Sequence, residues 1–150
     1  MLDRQTFKTV IDATPLISID LIAEHDGKIL LGKRKNRPAQ GYYFTTGGRI
    51  YKNEPIHEAL KRIAKSELGI DQFETEPQFI GVFEHFYEDS IFEDISTHYV
   101  NLAYFCKVPY LQDLPKDQHS TYQWFDIDTL LKSSDVHHYV KDYFKRIQNG

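Results

Sequence analysis

Along this chain the spacing of apolar residues changes period several times, and each change marks an element. In "RQTFKTVID" the residues Phe7, Val10 and Ile11 share one helical face, and Pro15 closes the segment. "PLISIDLIAE" is an apolar β-type run interrupted only by Asp20, and after a turn at "HDGK" the segment "GKILLGKR" predicts a second strand. "NRPAQGYYF" reads as a loop entering a short strand, followed by "GGRIY". "PQFIGVFEHFYE" and "THYVNLAYFCKV" alternate as long strands do, with the acidic stretch "EDSIFEDIS" as the loop or hairpin tip between them. "TYQWFDIDTLL" predicts a strand running into a short helix capped by Asp126 or Asp128, and "VHHYVKDYFKRI" a closing amphipathic helix. This order predicts a mixed β-sheet with helices on both faces, an α/β/α sandwich.

The middle of the chain holds one anomaly. From Asn53 to Leu68 the pattern is that of an amphipathic helix: Asn53 is the expected cap, Pro55 fits the first turn and Gly69 ends it. At about 100° per residue, Ile56, Ala59, Leu60, Ile63 and Ala64 form one apolar stripe, while Glu54, Glu58, Lys61 and Lys65 face water. Glu67 falls inside the stripe. A buried, unpaired carboxylate is costly, so a cation from another element, a water-filled gap or a bound metal ion must compensate it, unless the helix end frays and lets it reach solvent.

Composition narrows the class. With 150 residues, 41% hydrophobic and 27% charged, the chain is expected to form one globular domain over residues 1–150. Aromatic residues make up 14%, which suits a β-rich sheet or a site that stacks a planar ligand. The net charge of −4 supplies no electrostatic footprint for nucleic acid or an anionic membrane, so an anionic substrate needs a local cation cluster or a metal. The single cysteine, Cys106, lies in an apolar run and reads as a buried small residue. "MLDRQTFKTV" does not read as a signal peptide and no long apolar span occurs, so a cytoplasmic protein is expected.

From Gly48 the chain reads Gly, five residues, Glu54, seven residues, Arg62, and then Glu67, Leu68, Gly69, Ile70. This resembles the Nudix box, G-x5-E-x7-R-E-U-x-E-E-x-G-U, in which U is a bulky aliphatic. The resemblance implies the Nudix α/β/α sandwich and a loop-helix that holds divalent cations against a diphosphate. Two carboxylates of the pattern are absent, with Ile63 and Ser66 in their places. That loss removes hard oxygen donors and leaves charge for one Mg2+ rather than several. The same two losses, with "TPLISIDLI", "LLGKRKNRPAQGYYF", "GVFEHFY", "THYV" and "DQHSTYQW", resemble the GDP-mannose mannosyl hydrolase branch of the family. Thr46 departs from the proline more usual before the two glycines.

That branch implies hydrolysis of GDP-mannose or GDP-glucose to GDP and free sugar, by water attack at sugar C1 with inversion. By resemblance one Mg2+ per subunit (or Mn2+) is held by the Gly47 carbonyl, Glu67 and Gln118. His119 is the implied general base, with an ordinary pKa near ~6.5; a surface histidine in a polar turn is the alternative. Arg34 and Arg49 are implied phosphate clamps, and Arg62 either joins them or braces the helix against a carboxylate. Asp20, His85 and Tyr99 match positions near the sugar and leaving group, with a buried structural hydrogen bond the alternative for Asp20 and core packing for Tyr99. Phe7, with the stretch from Leu2, matches a position at the guanine, with a hydrophobic staple as its alternative. A homodimer is expected. The competing readings are a Nudix diphosphohydrolase that cuts the P–O–P bond of another nucleotide sugar, and a nucleotide-binding module without catalysis.

Overall fold

The computed structural model describes residues 2–92 and 94–149. Its elements are α1 (Arg4–Ala13), β1 (Leu16–His25), β2 (Lys28–Arg34), β3 (Tyr43–Phe44), β4 (Thr46–Arg49), α2 (Ile56–Leu68), β5 (Gln78–Tyr87), β6 (Thr97–Lys107), β7 (His119–Asp126), α3 (Ile127–Lys132) and α4 (His138–Asn149). The predicted order is observed, and Glu93 of the acidic stretch between β5 and β6 lies outside the described residues. No helix among the described residues is long and apolar enough to cross a membrane.

The sheet is mixed, as expected. Its order is β3-β2-β1-β6-β5, with β4 also on β1 and β7 also on β2. β1 and β6 run parallel from Leu16–Tyr99 to Glu24–Lys107, and the other pairs are antiparallel. β1 is covered on both faces, which explains its near-continuous apolar run. Ile19, Leu21 and Ala23 pack with Ala59, Leu60, Ile63 and Ala64 of α2. Ile22, Ile29 and Leu31 pack on the opposite face with Leu130, Val140, Tyr143 and Phe144 of α3 and α4. Asp20 shares the parity of Ile22, so it points into the α4 layer.

β1 and β2 stay paired only beside their hairpin, at Glu24–Ile29 and His25–Lys28. Further along, β4 takes the edge of β1 and β3 pairs with β2, so the two strands part. The sheet opens there.

Three details of the expected helix need correction. Asn53 does not cap α2: it sits in the left-handed region at φ 68°, and Pro55 holds the cap position with its carbonyl accepting from the Glu58 and Ala59 amides. Ile56 is 44% exposed, and Leu68 completes the buried stripe instead. Glu54 precedes the helix and turns back toward it rather than to water. Gly69 does end the helix, at φ 72°, a conformation that favours glycine. Cys106 is buried, and burial pushes its thiol up to about 12.

Candidate active site

A cleft of about 320 Å³ opens where β1 and β2 separate. Its walls bring together Asp20 of β1, Arg34 of β2, Gly47 and Arg49 of β4, Glu67 and Arg62 of α2, His85 of β5, Tyr99 of β6, Gln118, and His119 of β7. Ile63 and Ser66 line it as well. Leu2 and Phe7 do not. Leu2 is exposed on the N-terminal segment, and Phe7 packs edge-on against Phe92 and meets the site through Arg49, whose guanidinium lies 4.6 Å over its ring.

The loop before α2 is fastened by Arg62. Its Nε donates to Glu54 Oε2 at 2.7 Å, and its Nη2 donates to Glu54 Oε1 at 3.0 Å and to the Arg49 carbonyl at 2.6 Å. Glu54 Oε1 also accepts from the Tyr51 amide, and the Arg62 guanidinium lies 3.9 Å over the Tyr51 ring. The hydrogen bonds from Arg62 hold the Glu54 carboxyl below its usual range. Bracing is therefore the role that this geometry gives Arg62, which spends Nε and Nη2 on the protein itself.

Glu67 answers the sequence anomaly. It is half-buried at the cleft wall, and burial pushes its pKa up to about 7; the positive charge of Arg34 and the Gly47 amide oppose this, while Asp117 adds to it. No ion pair to Glu67 is formed among the described residues. A carboxylate that is costly to ionise alone, facing a cleft with the neutral oxygens of Gly47 and Gln118, fits a hard divalent cation. Among the described residues no three His, Cys, Asp or Glu side chains cluster as metal ligands.

Asp20 is buried and its pKa is raised by burial, against hydrogen bonds that favour the anion. Its Oδ2 accepts from Asn101 Nδ2 at 2.9 Å and from the Tyr143 hydroxyl. Its Oδ1 faces Gly47 closely: a Cβ there would lie 2.6 Å from Oδ1 and 2.4 Å from the Ile19 carbonyl, so only glycine fits. His85 is buried, stacks on Tyr139 at 4.2 Å, and is lowered to about 4 by burial. Tyr99 is raised by burial, while Arg34 and Arg49 pull it down.

His119 is not a surface histidine. It is the first residue of β7, opposite Arg34 in the register, and is fully buried. Its ring occupies the space above Gly32, where a Cβ would come within 2.6 Å of Cγ. Burial and then Arg34 lower its pKa to about 4, which corrects the expectation of an ordinary value near ~6.5. The Tyr122 hydroxyl donates its one proton to the Pro115 carbonyl, so toward His119 Nδ1, at 3.5 Å, it can only accept. That arrangement favours the proton on Nδ1 and leaves Nε2 as a bare acceptor. Nε2 is buried and has no partner.

The sequence reading missed Thr45, Tyr87 and Ser18 on the cleft wall, and Asn101 and Tyr143 behind Asp20. Ser18 stands in the strand that supplies Asp20, and Thr45 just before the one that supplies Gly47, and proximity to those was the available signal. Tyr143 sits in a periodic helix pattern where an aromatic reads as core, and nothing in its surroundings marked it.

The NUDIX domain profile matches residues 16–146 of this chain. The low-salt glycan biosynthesis protein Agl8 of Haloferax volcanii is 43% identical over 99 residues, which cover 65% of this chain and 62% of that protein. The match thus spans less than two thirds of that relative. ADP-ribose pyrophosphatase of Methanocaldococcus jannaschii is 31% identical over 137 residues, covering 91% of this chain and 76% of its own. The MutT NUDIX hydrolase of Burkholderia pseudomallei shares the fold, with a TM-score of 0.72 at 24% identity over 89% of this chain and 98% of that one.

Proposed function

The chain belongs to the Nudix family, and we propose that within it the chain hydrolyses GDP-mannose, and GDP-glucose with it, to GDP and free sugar. The observation that carries this reading is the buried, unpartnered Nε2 of His119, a residue that lines the same cleft as Arg34 and Glu67. Arg34 and Arg49 supply positive charge for the diphosphate. Glu67, Gln118 and the Gly47 carbonyl would hold Mg2+, which when bound neutralises charge on the leaving diphosphate. His119 Nε2 takes a proton from water, the water oxygen bonds to sugar C1, and the C1–O bond breaks with its electron pair passing to the diphosphate oxygen. The leaving group needs no protonation, unlike that of an ordinary glycoside. Ile63 and Ser66, apolar or neutral where the family pattern has carboxylates, support a one-metal site and this bond cleavage. The name of the Haloferax relative, a glycan biosynthesis protein, agrees with a nucleotide-sugar substrate.

A second reading is cleavage of the P–O–P bond, favoured by the name of the Methanocaldococcus relative, an ADP-ribose pyrophosphatase. Reaction in 18O-labelled water separates the two. Attack at C1 puts the label in the sugar and none in GDP, and the new mannose is first the β anomer. Label in phosphate, with a sugar phosphate and a mononucleotide as products, would establish the second reading and discard the first.

A further inference from the structure

We propose that Tyr143, on α4, is a positioning residue that joins Asp20 and His85 into one rigid unit at the cleft wall. The proposal rests on the hydrolytic reading of this cleft, and its basis is a proton count around one hydroxyl. Tyr143 is fully buried, with its ring edge-on to Phe83 at 4.8 Å. Its single proton goes to Asp20 Oδ2. The Tyr143 hydroxyl oxygen in turn accepts from Asn101 Nδ2 and stands 3.4 Å from His85 Nε2. Having given its proton to Asp20, the hydroxyl presents only lone pairs to His85, so the imidazole is held with its proton on Nε2. Asn101 is fixed in turn, because its Oδ1 accepts from Ser18 Oγ at 3.0 Å.

The consequence is geometric. Asp20 Oδ2 is fully engaged by internal donors, and Oδ1 is the oxygen that stands against Gly47 on the cleft wall. Stacking on Tyr139 fixes the plane of His85, and the contact with Tyr143 fixes its tautomer. Burial keeps His85 neutral and Tyr143 protonated. Three elements far apart in sequence, β1, β5 and α4, thereby present two polar groups to one cleft in a single arrangement.

Two measurements test it. In a double-mutant cycle of Tyr143→Phe and Asp20→Asn, read on GDP-mannose or ADP-ribose, whichever the wild type hydrolyses, Tyr143→Phe should lower kcat about 10–100-fold with little change in KM. The loss should vanish in the Asp20→Asn background, because Tyr143 acts through that carboxylate. Thermal midpoints check that each variant is folded; if Tyr143→Phe does not fold, Asn101→Leu carries the same cycle. The second measurement needs no substrate. Two-bond 15N–1H spectra of histidine-labelled protein, with the His85 signals assigned from His85→Asn, should show a pure Nε2–H tautomer in the wild type and a mixture in Tyr143→Phe. A kcat within twofold of wild type, or equal losses in both backgrounds, overturns the coupling to Asp20, and an unchanged tautomer overturns the coupling to His85. Failure of the 18O experiment alone would change the bond assigned to the reaction and leave both of these results standing.

Discussion

Arg62 grips Glu54 through two parallel hydrogen bonds, Nε to Oε2 and Nη2 to Oε1, while the same Nη2 reaches the Arg49 carbonyl. One guanidinium thus ties the start of the loop, its end and the helix together. Because the loop leads directly from β4, which carries Gly47 and Arg49, its looseness would be felt in the cleft rather than in the core.

Arg62→Lys should therefore behave as a disruptive change. An ammonium cannot reproduce the planar fork, and at least one of the three bonds is lost. We expect a stability loss of about 1–3 kcal/mol, discounted toward the lower end for the partial exposure of the pair, together with a clear fall in kcat. Glu54→Gln should cost a similar amount, and the double variant little more than either single one. Additive losses measured by urea unfolding would show that the two side chains act separately.

Glu67 gives a prediction with a sign. Its folded pKa is raised to about 7 from 4.5, so without metal the folded state holds a proton that the unfolded chain has already released. Stability from this group is present below the unfolded value and declines as pH rises from 4.5 through about 7. Mg2+ should reverse the loss, raising the thermal midpoint more at pH ~8 than at pH ~5.5, since only the carboxylate binds the ion. Glu67→Gln should raise the metal-free midpoint at the higher pH, abolish the Mg2+ increment and cripple turnover. An unchanged kcat with ordinary Mg2+ dependence would return Glu67 to the status of a frayed helix end.

Histidines act in the opposite direction. His85, His119 and His137 are each lowered to about 4 by burial, from 6.5. Their depressed values mean that the unfolded chain binds more protons between about 6.5 and 4. Stability is fully present above that window and is lost as pH falls through it, with a slope approaching about 1.4 kcal/mol per pH unit for each group. Urea unfolding between pH ~7.5 and ~4.5 measures the slope. His137→Asn, which removes one such group outside the implied catalytic set, should make it shallower by about one proton; a slope that does not change would show that His137 titrates normally in the folded chain.

Why some of this was legible and some was not follows from the reach of local patterns. The strands, α2 and its glycine stop could be read because apolar period and turn residues are set within a few positions. Glu67 stood out as a polar residue inside an apolar stripe, and its place on the cleft wall follows from the same arithmetic that made it odd. Asn53 misled because a cap residue and a left-handed turn residue favour the same side chain, and only the path of the loop decides between them. Tyr143 could not be found in that way. Its role depends on α4 packing under the parting of β1 and β2, a contact between residues more than a hundred positions apart, and no local period encodes that. The pKa of His119 was likewise invisible, since it comes from burial beneath Gly32 and a neighbouring Arg34 on another strand.

The last prediction concerns that histidine. A base held near 4 is already unprotonated throughout the neutral range, so kcat/KM should be level above pH ~5 and fall only below it. An ordinary histidine would instead give a limb near ~6.5. His119→Gln keeps size and hydrogen bonding but removes the proton acceptor, and kcat should drop about 10²–10⁴-fold. On the proposed reading, affinity for GDP should change little, because Arg34 and Arg49 on the cleft wall, not this imidazole, supply the positive charge. Fold should persist as well, and the variant's midpoint should fall by less than that of Arg62→Lys, since Nε2 gives up no hydrogen bond. If turnover stays within a few-fold of wild type, or the acid limb is the same in the variant, the proton acceptor lies elsewhere. Asp20 and His85, across the same cleft, would then be the groups to test.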